Sequence, residues 1–193
     1  KKNIQIAIMI GGGNICRGDN SKIDRLKSDY IGMLSTIMNS LLLQNELEKF
    51  NIPNVLMSAI NISNSYFETY SINNANKYLN DNKIIILSGG IGIPYFTTDT
   101  ASVIRSLEIK ADVLLKGTKV NGIYNKDPMI CKNVHMYDKM SYDQIYDKNI
   151  SVMDKTAFVL CEKYGLPIIV FNMNKKNNLE KLINNEKIGT IVK

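Results

Sequence analysis

Three consecutive glycines, Gly11, Gly12 and Gly13, follow the apolar run 4–10, and Asn14 and Arg17 come soon after them. Glycine lets a backbone approach a ligand closely. Successive amides at a strand end can then cradle a phosphate, with an arginine as a charge clamp. A second glycine loop, Gly89-Gly90-Ile91-Gly92, follows the run 83–88 and leads into Phe96-Thr97-Thr98-Asp99. That tetrapeptide opens a helical pattern, so it offers amides, two hydroxyls and the positive end of a helix dipole to a second anion. Thr118, Tyr124 and Asp127 follow a further apolar run and form an aromatic and polar set suited to a purine nucleotide. Asp154 stands before another helix start.

Two anion cradles imply two phosphorylated ligands, and hence phosphoryl transfer. The spacing GGGNICRG does not match G-x-x-x-x-G-K-[ST], which excludes a P-loop, nor G-x-G-x-x-G, which weakens the case for a dinucleotide enzyme. Taken singly, each feature also has a plainer role. Glycines make tight turns, Thr98 and Asp99 cap a helix, Asp154 serves as an N-cap, and Arg17 and Asp29 sit as solvated charges. What favours ligands is coincidence: two glycine loops and a capped helix start all fall at strand ends, where open α/β sheets bind them.

The elements that must position these residues are short, apolar and nearly unalternating runs at 4–10, 54–58, 83–88, 112–116, 167–172 and 188–192. Such runs suit strands covered on both faces. Helical patterns lie between them at 29–50, 98–109 and 155–164. The first is apolar on more than one face, which leaves a face for an oligomer contact. The last is bracketed by Asp154 and by Gly165 and Pro167. Strands alternating with helices predict a three-layer α/β/α sandwich with a mainly parallel central sheet. Asn121-Gly122 predicts a two-residue hairpin in a small antiparallel flap.

The 193 residues, 45% of them hydrophobic, suffice for one good core, and no apolar run is long enough to cross a bilayer. The net charge of +6 comes from scattered lysines without interleaved aromatics, so no nucleic-acid groove is expected. Cys16, Cys131 and Cys161 are odd in number and widely spaced, which argues against disulfides or zinc and for a reducing compartment. The sole histidine, His135, reads as a loop residue rather than a catalytic base.

As an ordered set, IGGGNICRG, SDYIGMLSTIMNSLLLQ, MSAI, GGIGIPYFTTDTA, ADVLLKGTKVNGIYNKDP, SVMDKTA, GLPIIVFN and IGTIV resemble the bacterial-type UMP kinases of the amino-acid kinase superfamily across nearly the whole chain. The resemblance implies transfer of the γ-phosphoryl of MgATP to UMP, giving UDP for pyrimidine synthesis. It also implies a homohexamer responsive to nucleotides such as GTP or UTP, and a cytoplasmic or organellar (for example plastid) setting, with neither nucleic acid nor membrane as partner. By position, Gly12, Asp29 and the loop Ile91, Gly92, Ile93, Pro94, Tyr95, Phe96, Thr97 and Thr98 correspond to UMP contacts, with Asp29 at the ribose. Gly13, Arg17, Thr118, Tyr124 and Asp127 correspond to ATP contacts, and Arg17, Asp99 and Asp154 to catalytic positions. Mg²⁺ is expected with the ATP, organised by aspartates that need not act as strong bases.

Two departures qualify the likeness. The family's K-[LI]-S-G-E strand, with its phosphoryl-neutralising lysine, lies upstream of Lys1, so the chain reads as a single kinase domain over 1–193 that lacks its first strand and helix. In the acceptor loop the family's G-T-G-N-P-F-F-T-T is GIGIPYFTT, with Ile91 and Ile93 for the polar pair, which predicts looser discrimination of the base. Asn121 for the usual aspartate is a milder change. A non-catalytic or impaired nucleotide-binding homologue, and a superfamily member that phosphorylates a carboxylate or carbamate, are the competing readings.

Overall fold

The computed structural model describes residues 4–16, 23–63 and 66–193, so Arg17 lies outside the described residues. The chain forms two compact units, the first running to Ser102 and the second starting at Val103.

The first unit contains β1 (Ala7–Met9), α1 (Arg25–Lys49), β2 (Asn54–Ser58), β3 (Glu68–Thr69), α2 (Ile72–Asn80), β4 (Ile84–Ser88) and the first turns of α3 (Thr98–Glu108). Its strands form one parallel sheet in the order β1-β4-β2-β3. Ile85 and Ile86 point to opposite faces of β4, yet both are fully buried. That two-sided burial is why the run does not alternate in sequence. Leu56, Met57, Leu79 and Ile37 complete this core.

Helix α1 is capped by Asp24, whose carboxylate accepts from the Lys27 N–H at 3.3 Å. Its orientation departs from simple amphipathic logic. The buried side carries Ser28, Ser35, Thr36 and Ser40 along with Met33 and Ile37, while Leu34, Met38 and Leu42 are 46%, 58% and 67% exposed.

The second unit contains β5 (Leu114–Thr118), β6 (Lys139–Met140), α4 (Tyr142–Asp147), α5 (Lys155–Tyr164), β7 (Ile168–Asn172), α6 (Asn178–Ile183) and β8 (Thr190–Val192). The sheet order is β5-β7-β8-β6, and only the β7/β8 ladder is antiparallel. Phe158, Ile145, Ile168, Val170 and Val192 pack with Cys161 in a fully buried cluster. Burial pushes the Cys161 thiol up to about 12, which makes it an apolar filler rather than a nucleophile. The Tyr142 hydroxyl is likewise raised by burial and donates to the Leu166 carbonyl at 2.7 Å.

Helix α5 has the predicted bounds, with Asp154 accepting from Ala157 N–H at 3.0 Å and Gly165 closing it in the left-handed region. Strand β5 starts two residues later than the apolar run, because its partner β7 sets the register and pairs Thr118 with Asn172. The hairpin expectation is corrected. Asn121-Gly122 is not a two-residue turn; the antiparallel contact joins Tyr124 to Met136, flanked by Asn125 N–H to His135 O and Tyr137 N–H to Ile123 O. Gly122 instead allows close packing on β8, since a Cβ there would lie 2.6 Å from Thr190 Oγ1.

Candidate functional site

In the first unit, the inward face of α1 is the bed on which both glycine loops lie. At the end of β1, a Cβ on Gly12 would overlap the Gly32 carbonyl oxygen and come within 2.9 Å of Ser35 Cβ. Gly12 is therefore glycine because of close approach to a helix, and small residues are needed on α1 opposite it. The loop turns tightly after Gly12, whose carbonyl accepts from Ile15 and Cys16 N–H at 3.0 and 3.1 Å. Asn39 on α1 donates to the Gly11 carbonyl at 2.8 Å and pairs with the Asn14 side chain. Among the described residues, the N–H groups of Gly12, Gly13 and Asn14 meet no acceptor. Three successive unbonded amides at a strand end are the donor array an oxyanion requires.

The second loop follows β4. Thr36 on α1 accepts from Gly89 N–H at 2.7 Å while donating to the Met33 carbonyl at 2.6 Å. Gly89 and Gly92 close a turn through Gly92 N–H to Gly89 O at 2.9 Å. A Cβ on Gly92 would stand 2.8 Å from the Ala59 carbonyl oxygen beyond β2, so this loop too is pressed onto backbone. Tyr95 then adopts φ +72°, a left-handed conformation unusual for a residue with a side chain. Its N–H donates to Asp29 Oδ2 at 2.8 Å, and the same oxygen accepts from Arg25 Nε at 3.1 Å. Asp29 thus ties the second loop to the start of α1. Thr97, rather than Thr98 or Asp99, caps α3, since its hydroxyl accepts from Thr100 N–H at 3.1 Å. Thr98 Oγ1 lies beside the first loop, 3.8 Å from where a Gly11 Cβ would be. Asp99 occupies the first turn of α3, half-buried.

The structure therefore gathers Gly12, Gly13, Asp29 and the segment 91–99 around one end of the first sheet. Ile91 is half-buried and Ile93 exposed. Thr36 and Asn39 belong to the same arrangement and were missed in sequence. Their signal was a row of small or polar residues on α1, Asp29, Gly32, Thr36 and Asn39, at helical spacing.

In the second unit, Thr118 ends β5 with its hydroxyl 2.8 Å from Val120 O. Beside it Asn172, the end of β7, donates to Lys119 O at 3.1 Å and to Asn121 Oδ1 at 3.2 Å, so Asn172 shapes the loop after β5. Tyr124 and Asp127 stand on the flap. Asp127 Oδ1 accepts from Met129 N–H at 2.8 Å, so its carboxylate already serves a turn. Asp154 caps α5 and lines a shallow cavity with Tyr146, Asn149 and Lys155.

The model of the amino acid kinase family matches residues 1–172. The chain belongs to the amino acid kinase family. Within that family it is 45% identical to the uridylate kinase of Buchnera aphidicola subsp. Baizongia pistaciae (strain Bp), covering 98% of this chain and 79% of that protein. The chloroplastic uridylate kinase PUMPKIN of Arabidopsis thaliana is 40% identical, over 98% of this chain and 57% of its own length. The crystal structure of UMP kinase from Bacillus anthracis superposes with a TM-score of 0.93 at 37% identity, covering 98% of this chain and 79% of that one. The α/β fold with its mainly parallel strands is thus the amino acid kinase fold.

Proposed function

We propose that this chain is an ATP-dependent UMP kinase, moving the γ-phosphoryl of MgATP onto UMP to give UDP, and that residues 1–193 serve as one amino acid kinase domain. The observation that carries the reading is the row of amides at Gly12, Gly13 and Asn14 that meet no acceptor among the described residues, set beside the hydroxyl of Thr98 at the start of α3. Its kinship with uridylate kinases names the acceptor. Phosphoryl transfer asks the protein mainly for alignment and charge neutralisation, and fixed amides supply both without reorganising.

In this reading Gly12 and the loop 91–98 take UMP, with Asp29 at the ribose. Ile91 and Ile93 leave the base to be read by backbone groups, so CMP is rejected less sharply than polar side chains would allow. Gly13 and Arg17 face ATP phosphates, and Thr118, Tyr124 and Asp127 take the nucleoside of ATP. When bound with ATP, Mg²⁺ neutralises charge on the phosphates, and the carboxylates of Asp99 and Asp154 are hard oxygen donors of the kind it accepts. GTP or UTP as effectors, and a cytoplasmic or plastid setting, complete the proposal; neither nucleic acid nor membrane is a partner in it. Among the described residues no helix is long and apolar enough to cross a membrane.

Coupled measurement of ADP release from the native polypeptide is expected to show turnover with UMP, and weaker turnover with CMP. No ADP release with UMP alongside normal ATP binding overturns the kinase reading.

Self-association belongs to the same proposal. Leu26, Tyr30, Leu34, Met38 and Leu42 recur every four residues along one exposed side of α1, and the homohexamer is assigned to use this stripe. Leu42→Glu is expected to reduce the mass seen by light scattering without lowering the melting temperature; an unchanged mass removes α1 from the interface.

A further inference from the structure

We propose that Asn39 is a positioning residue for the phosphate-binding loop, holding Gly11 and Asn14 so that the amides of Gly12, Gly13 and Asn14 face the anion. The inference rests on the function proposed above and gives that site a part that neither glycine loop contains. A glycine-rich loop has many backbone conformations of similar energy, and only a few of them align several N–H groups on one oxyanion. Something must therefore select one.

The selection is visible in where the polar groups go. Nδ2 of Asn39 has two protons, and both are used: one on the Gly11 carbonyl at 2.8 Å, the other on Asn14 Oδ1 at 2.7 Å. Its Oδ1 accepts in return from Asn14 Nδ2 at 3.2 Å. The Gly12 carbonyl is held by Ile15 and Cys16 N–H. Both ends of the Gly11–Asn14 segment are thus pinned to one side chain on α1, and the carbonyls of Gly11 and Gly12 are both engaged within the protein. The amides between these anchors meet no acceptor among the described residues. Asn39 stands on the same face of α1 as Gly32 and Ser35, which would touch any Cβ on Gly12, so the loop is pressed and clamped from one direction.

The chemistry also explains the residue type. Asparagine alone of the short side chains both donates twice and accepts. Aspartate is its isostere, yet it cannot donate to Gly11 O, and it brings a negative charge toward the place intended for a phosphate.

The test compares Asn39→Asp, Asn39→Ala and Asn14→Ala with the parent protein, reading kcat, KM, melting temperature and the backbone amide NMR shifts of residues 12–14. In the parent, the Gly12 amide is expected to shift on titration with UMP and the Gly13 amide on titration with a non-hydrolysable ATP analogue, while all three stay still with uridine, which carries no phosphate. Asn39→Asp and Asn39→Ala are expected to lose those phosphate-dependent shifts and to lower kcat about tenfold, while the melting temperature stays within a few degrees. Asn14→Ala keeps the Gly11 bond and is expected to lose less than either. Full retention of the shifts and of kcat in Asn39→Asp overturns the proposal, as does a loss of kcat that appears only together with a fall in melting temperature. A parent that shows the phosphate-dependent shift but no ADP release instead counts against the kinase reading and leaves the clamp standing.

Discussion

Gly12→Ala is expected to lower kcat/KM for UMP by about a hundredfold, while Gly11→Ala, one residue away, leaves it nearly unchanged. The two glycines look alike in sequence, but their surroundings differ. A Cβ on Gly11 has only Thr98 Oγ1 near it, at an ordinary 3.8 Å. A Cβ on Gly12 overlaps the Gly32 backbone oxygen, with Ser35 Cβ at 2.9 Å and Thr36 N at 3.2 Å. Two of those three neighbours are backbone atoms of a 25-residue helix, so the loop must move rather than its bed. A lift of the order of 1 Å breaks the Asn39 clamp and misaligns the amides, and misplacement on that scale costs roughly a hundredfold in rate. Overpacking of this kind also destabilises by about 1–3 kcal/mol. Steady-state kinetics and thermal melts on the two variants check the contrast. Equal behaviour of Gly11→Ala and Gly12→Ala would show that the loop is not held as described.

That contrast marks the limit of what the sequence made legible. Helix α5 and strand β2 were readable to the residue, because Asp154 and Gly165 punctuate the one and Asn54 and Ser58 bracket the unalternating apolar centre of the other. The glycine loops were readable as places of close backbone approach, because glycines after strands in an α/β pattern seldom lack a reason, and Gly12 and Gly92 are both pressed onto backbone. That Gly12 is pressed onto a helix while Gly11 is not was not readable, since a tight turn and a close approach select the same residue. Helix α1 was misleading for a related reason. Its inner side meets two loops that come close through backbone and short polar side chains, so small and polar residues fit there, with Asn39 and Thr36 bonding the loops directly. Apolar periodicity then marks the outer face, the reverse of a core-facing helix. Asn121-Gly122 failed as a hairpin signal because Gly122 answers to Thr190 across the fold, a contact that no local pattern encodes.

Asp29→Ala is expected to raise KM for UMP ten- to a hundredfold, with little change in melting temperature, and the cause can be divided between two roles. In the function proposed above this carboxylate meets the ribose. In the structure its Oδ2 already accepts from the Tyr95 N–H at 2.8 Å and from Arg25 at 3.1 Å, with only 14% of the side chain exposed. A carboxylate–amide bond is charge-assisted and worth about 1.5–3 kcal/mol, enough to hold Tyr95 at φ +72° against a strain of about 1–3 kcal/mol. Removing the carboxylate releases the strain, and the acceptor loop relaxes away from its binding geometry. Tyr95→Gly removes the left-handed penalty and so makes the tether less necessary. If Asp29 acts through the loop, adding Asp29→Ala to Tyr95→Gly costs much less than Asp29→Ala alone. If it acts on the ribose, the costs add, and the preference for UMP over dUMP collapses in Asp29→Ala. The geometry predicts a clear shortfall from additivity, because the oxygen that would meet a ribose hydroxyl is on the same carboxylate that holds the loop. Strict additivity in this double-mutant cycle, read from UMP KM values, would remove the tether from the account of this site.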